Sequence, residues 1–149
     1  MTEKENIDNH NQFLKQFEFV KSEYDEFWDS YEKDDIWLED DVRISIAVRS
    51  MSDYIPILFQ KFMENQSVYD RAWKEFAARE LLTRLRTEWD MEELDEKYVI
   101  NALTVSEITF GYDRDDAYCV WFYTPDVSSE HGVQIYGNMQ GEINRAAIE

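Results

Sequence analysis

Val42-Arg43-Ile44-Ser45-Ile46-Ala47-Val48-Arg49 alternates apolar, mostly β-branched residues with arginine, serine and alanine. A period of two puts every second side chain on one face of a strand. Val42, Ile44, Ile46 and Val48 therefore belong on a core, and Arg43 and Arg49 in water. This is the clearest strand in the chain, and its flanks set the fold class.

On the C-terminal side the period changes to that of a helix. Ser52 reads as an N-cap, with Asp53 in the first turn and Pro56 tolerated near the start. Ile55, Leu58, Phe59 and Phe62 form an apolar stripe, which Asn65 and Gln66 interrupt. Ser67 then caps a longer helix to about Trp89, with Ala72, Trp73, Phe76, Ala77, Leu81, Leu82, Leu85 and Trp89 inward. Arg71, Glu75 and Arg79 stand four apart and pair on the wet side. A third, short helix spans Met91 to Leu103, with Leu94, Tyr98 and Val99 inward.

Strand signals then return. Ile108, Phe110 and Tyr112 alternate, and Asp113 to Asp116 make a turn. Tyr118 to Tyr123 is a nearly continuous apolar run, as expected of a central strand buried on both faces. Pro125 to Glu130 read as a loop, and Val133 and Ile135 mark another strand. Gly137 and Gly141 bracket a turn, after which Ile143 to Ile148 return as a closing strand. Upstream, Phe13, Leu14 and Phe17 have helical spacing, but β-formers dominate from Phe17 on, so strands are expected there. Residues 1–11 are polar and read as a frayed tail. Strands, then helices, then strands imply a single α+β domain over 12–149. Its largely antiparallel sheet comes from both ends of the chain and packs on the central helical segment.

Composition agrees with one folded domain. The chain has 149 residues, 44% of them apolar and 15% aromatic, which disordered chains do not reach. The loudest signal is charge: 33 acidic against 15 basic side chains, a net −18 spread along the chain. Such a surface repels nucleic acid and anionic membrane and favours a basic partner, although acids also serve plain solubility. Cys119 is the only cysteine, so no internal disulfide forms, which fits a reducing compartment. Met1 to Asn6 lack an apolar signal segment, and no apolar run approaches a membrane span. A cytoplasmic protein is expected.

Chemistry-bearing motifs are sparse. His10 and His131 lie far apart, and no Cys/His cluster exists, so neither a metal site nor a cofactor is expected. Asp113-Arg114-Asp115-Asp116 starts like a calcium loop, but Tyr118 stands where its glycine belongs and Thr124 where its glutamate belongs. Cys119 sits in the most apolar strand and reads as a buried structural thiol. No nucleophile elbow, phosphate loop or dinucleotide fingerprint is present. No catalytic residue can be named. His131, at a strand entrance, has no orienting partner and reads as structural.

The best binding candidate is the acidic-aromatic segment Glu23 to Asp41. Asp25, Trp28, Asp29, Tyr31, Asp34, Asp35, Trp37, Glu39, Asp40 and Asp41 are its expected partner contacts. Aromatics are the types that anchor interfaces, and dense carboxylates suit a basic surface. The same rings could equally be core, with the acids on the wet faces of hairpins.

His131-Gly132-Val133-Gln134-Ile135-Tyr136-Gly137-Asn138, followed by Gly141, resembles the last hairpin of an uncharacterised bacterial domain family. That likeness runs from about Phe17 to Ile148 and covers nearly the whole chain. Small acidic proteins of this kind resemble immunity proteins, which neutralise the toxins of bacterial competitors. The resemblance implies a protein partner with a basic surface, such as a toxin domain, with no cofactor and no enzymatic site. Three functions are thus in play. The first is an inhibitory module that occludes a toxin, for instance a nuclease. The second is a nucleic-acid mimic or regulatory adaptor. The third is a carboxylate-dependent enzyme, which two carboxyls facing one deep cleft would favour.

Overall fold

In a computed structural model of the chain, residues 12–88, 95–111, 116–123 and 132–148 are described. Seven strands form one sheet in sequence order. They are β1 (Glu18–Val20), β2 (Ser30–Trp37), β3 (Asp40–Ala47), β4 (Thr104–Phe110), β5 (Tyr118–Tyr123), β6 (Val133–Gly137) and β7 (Ile143–Ile148). Every neighbouring pair is antiparallel except β3 and β4. A parallel pair needs a long crossover, and the helical middle supplies it. The crossover holds α1 (Tyr54–Glu64), α2 (Gln66–Glu88) and α3 (Glu96–Ala102). The architecture is the α+β fold expected, with both ends of the chain in one largely antiparallel sheet.

The opening strand behaves as its alternation demands. Val42, Ile44 and Ile46 are buried and Arg43 is exposed. The strand stops at Ala47, however. Val48 to Ser50 turn into a 3-10 turn, so Val48 is only half-buried. Ile55, Leu58, Phe59 and Phe62 of α1 are all buried, as are Trp73, Ala77, Ala78 and Leu81 of α2. Together with Val105, Ile108, Phe110, Tyr118, Val120 and Ile135 they make one continuous apolar cluster. The expected Arg71–Glu75 and Glu75–Arg79 pairs form on the exposed side of α2.

Several local expectations need correction. Ser52 does not cap α1. The entry is a tight turn closed by the Ile55 N–H on the Ser52 carbonyl, Asp53 at the helix start has helical dihedrals, and no side chain caps the first turn. Ser67 lies inside α2, because the Asn65 carbonyl already accepts the Tyr69 N–H one turn on. Ala72 is exposed and Tyr98 is 46% exposed, each one residue off its helix's inward stripe. In α3 Val99 alone is buried, and the Asp95 carboxylate caps the helix by accepting the Tyr98 N–H at 2.7 Å. In β5 burial on both faces holds only for the first three residues, and Tyr123 is exposed. The tail 1–11, Leu94, Trp89, Tyr112, Asp113 to Asp115, the Pro125–Glu130 loop and His131 lie outside the described residues.

The two turn glycines divide in role. Gly141 has φ of +87°, a conformation that needs glycine. Gly137 belongs to β6 instead. Tyr118 lies directly across from it in β5, and a Cβ there would stand 2.2 Å from the Tyr118 ring. The missing side chain makes room for that buried ring, whose hydroxyl donates to the Gly141 carbonyl at 3.0 Å.

Candidate functional site

The core cluster occupies one face of the sheet, and strand alternation fixes what the other face carries. There Arg43 lies opposite Asp34 on β2 and opposite Glu107 on β4, and Glu107 lies opposite Trp121 on β5. Arg43 Nη1 is 3.0 Å from Glu32 Oε1, and its Nε is 3.1 Å from Asp34 Oδ1. These two hydrogen bonds, that of Glu32 first, raise the pKa of the guanidinium further. Toward β7 the same face is closed by a polar-aromatic patch. Gln134 and Tyr136 are buried, the Tyr136 hydroxyl donates to Gln134 Oε1, and the Arg145 guanidinium lies 3.8 Å from the Tyr136 ring centroid and pairs with Asp116.

Against the β2–β4 end of this face the chain folds a 3-10 turn, Glu26–Trp28. Asp25 starts it by accepting the Phe27 N–H at 2.8 Å. Asp29 ends it: its carboxylate accepts the Ser22 N–H at 2.8 Å, and its carbonyl accepts the Val48 N–H at 3.0 Å. Arg49 fastens the turn to the sheet. Its Nη1 donates to the Phe27 carbonyl at 2.9 Å, and its guanidinium carbon lies 4.0 Å from the Phe27 centroid and 5.3 Å from that of Trp28. The two rings meet edge to face at 4.8 Å. They remain half exposed, so they are held in place without being core.

Between this turn and the sheet lies a cleft of about 1030 Å³. Phe27, Trp28, Arg49 and Trp121 line it together with Asp29, Ser45, Glu107 and Thr109. Glu107 is its chemically distinctive group. Burial first, and then the charge of Glu32, push its carboxyl above the usual range, while Arg43 opposes the shift. Its carboxylate makes no hydrogen bond or ion pair with any described residue, because Glu32 and Asp34 engage Arg43. Among the described residues no group of three or more His, Cys, Asp or Glu could hold a metal ion. Cys119 is fully buried.

The ten expected partner contacts do not form one patch. Asp25, Trp28 and Asp29 stand at the cleft end of β2, whereas Glu39, Asp40 and Asp41 stand at the far hairpin. The eight residues of β2 separate the two groups by roughly 25 Å. Asp34 is exposed but holds Arg43, and Asp35 pairs with Lys33 at 2.9 Å. Tyr31 packs against Phe19 on the helix side. Trp37 is a correction: it is 2% exposed and stacked on Trp73, so no partner can reach it. The sequence reading missed Phe27, Arg49, Glu107 and Trp121. Glu107 and Trp121 belong to separate strands, each locally unremarkable, and only the sheet register brings them to one cleft.

A family model described as "Uncharacterized protein conserved in bacteria (DUF2262)" matches residues 18–148. The chain belongs to this family. The match opens with the first residue of β1 and closes with the last of β7, so DUF2262 here is the whole sheet with its helical crossover. Neither the curated proteins nor the solved structures gave a match. Among the described residues of this DUF2262 protein no helix is long and apolar enough to cross a membrane.

Proposed function

We propose that this DUF2262 protein is an inhibitory protein-binding module, an immunity protein that occludes a toxin domain with its acidic, aromatic edge. The distribution of exposed apolar surface carries this reading. Among the described residues twelve large apolar side chains are exposed, and seven of them fall between Phe19 and Leu38. Single exposed apolar residues scattered over a surface mean little, but Phe27 and Trp28 form a contiguous exposed pair at the cleft, beside exposed Asp25 and Glu26. The same segment exposes Asp25, Glu26, Asp34 and Glu39, with Asp40 and Asp41 next to it. Rings amid carboxylates suit a basic protein surface, with charge speeding association and buried rings slowing release. A nuclease with a basic substrate cleft is one such target.

The test is co-purification with the product of the neighbouring gene, followed by binding kinetics. Reversal of Glu39, Asp40 and Asp41 to Lys should slow association and flatten its salt dependence, because these acids hold no described ion pair. A neighbouring product that is not retained, or kinetics indifferent to the reversal and to salt, would sink the reading. A second reading has one observation in its favour: Asp29 and Glu107 line the same cleft, as a carboxylate-dependent enzyme would need. Against it, Asp29 is already committed to the Ser22 N–H that holds the turn. Turnover of a small substrate abolished by Glu107→Gln would favour the enzyme.

A further inference from the structure

The cleft and the exposed edge are continuous, since Phe27 and Trp28 belong to both. We infer that the cleft is a receptor for one basic side chain, arginine or lysine, presented by the protein partner. Glu107 takes the charge, and Trp28 and Trp121 take the aliphatic stem. This inference rests on the binding-module reading and names the chemistry of one of its contacts.

Three observations support it. The Glu107 carboxylate is partly withdrawn from water, and the guanidinium across from it, Arg43, attracts it but is bonded to Glu32 and Asp34 instead, an arrangement that costs free energy until a further cation arrives. The charge around it is negative. From β2 come Glu32 and Asp34, from the turn comes Asp29, and the two guanidiniums present, Arg43 and Arg49, are already engaged. β5 faces Glu107 with Trp121, which adds no charge. An anion would therefore meet repulsion here, on a protein of net charge −18. The walls are also aromatic, and rings attract alkyl stems and cations alike. At about 1030 Å³ the cleft is far larger than a lone ammonium needs. It has room for a side chain together with the loop that bears it.

Only ionised Glu107 can pair with a cation. Its raised pKa makes the neutral form a competitor sooner than for an ordinary carboxylate, so affinity should fall as pH drops through that raised value.

The experiment uses the full chain and small probes: blocked arginine amide, blocked lysine amide, blocked norleucine amide as the neutral shape, and butylguanidinium. The indole N–H signals of Trp28 and Trp121 are followed by NMR. The arginine and lysine probes should shift both signals saturably, with norleucine about tenfold weaker or more. Glu107→Gln should weaken the arginine probe by a similar factor and remove the pH dependence, while its melting temperature shows that it still folds. Equal binding of norleucine, or unchanged binding by Glu107→Gln, would overturn the inference. So would butylguanidinium binding much more tightly than blocked arginine, which would make the cleft a site for a free organic cation. A cleft that passes these tests in a protein that retains no partner would leave the site standing and remove only the immunity reading.

Discussion

Trp37 Nε1 donates a hydrogen bond to Asp70 Oδ1 at 3.0 Å across 33 residues of chain. The indole also stacks on Trp73 with centroids 4.9 Å apart, and Asp70 pairs with Lys74 at 3.0 Å. One turn earlier in α2, Gln66 Oε1 accepts the Leu38 N–H and its Nε2 donates to the Ile36 carbonyl. The start of α2 thus holds the acidic β2–β3 hairpin, where Leu38 has a φ of +58°. The hairpin is positioned by the helix behind it as well as by its own turn.

Trp37 and Trp28 should respond differently to the same change. Trp37→Ala removes a fully packed ring and leaves Asp70 with one partner fewer, and should cost about 3–5 kcal/mol in urea unfolding. Trp28→Ala removes a half-exposed ring and should cost no more than about 1 kcal/mol. Equal losses would mean that the cleft turn is part of the core.

Gly137→Ala should destabilise the domain by about 1–3 kcal/mol or more, because the added Cβ meets the hydroxyl end of the buried Tyr118 ring. Tyr118 has little room to retreat: its hydroxyl accepts from Trp73 Nε1 at 3.3 Å while donating to Gly141. Gly141→Ala should also destabilise, but through backbone strain at positive φ. Pairing each with Tyr118→Phe separates the causes in thermal unfolding. Losing the hydroxyl removes one of the three close contacts a Cβ at Gly137 would make, so the Gly137→Ala loss should shrink in the Tyr118→Phe background, whereas the strain at Gly141 should persist in full.

The folded-state pKa of Glu107 is raised above its unfolded value. Its contribution to stability is therefore fully present below the unfolded pKa and is lost as pH rises through the folded one. Above the raised pKa the ionised carboxylate is a cost, so Glu107→Gln should melt higher than the wild type there. The difference should close as pH falls below the ordinary carboxylate range. A variant less stable above the raised pKa would show that the attraction of Arg43 outweighs the cost of burial.

Arg49→Ala should loosen the Glu26–Trp28 turn while sparing the sheet. It removes the bond to the Phe27 carbonyl and the guanidinium over two rings, for a global loss of about 1–2 kcal/mol. Amide exchange at Phe27 to Asp29 should accelerate much more than exchange in β3 and β4. Arg49→Lys should rescue only partly, because an ammonium lacks the planar face that stacks on Phe27. Unchanged exchange in the turn would show that another contact holds it.

Much of the architecture was legible locally. The alternation from Val42 to Ile46 and the 55-58-59-62 stripe each state which face is apolar, and burial follows that statement, whereas β6 is buried on both faces, Gln134 included. Helix entries were less legible. Ser52 and Ser67 are the right residue types for caps, but α1 is entered through Asp53 with no side-chain cap bond, and the one-residue break at Asn65 leaves Ser67 inside α2.

The sequence by itself determined the acidity of this protein, its α+β class, the order of its elements from β3 onward, and the side of β3 that faces the core. These follow from composition and from periods of two and 3.6, which are properties of neighbouring residues. Tertiary structure alone decided which aromatics are anchors and which are core. Trp28 and Trp37 stand nine residues apart in the same acidic context, yet α2 buries one while Arg49 holds the other at the surface. It alone decided the cleft as well. Arg43, Glu107 and Trp121 are adjacent only because the helical crossover sets β4 parallel to β3 and β5 pairs antiparallel with β4. Register between distant strands depends on how the whole sheet packs, and no local pattern contains it.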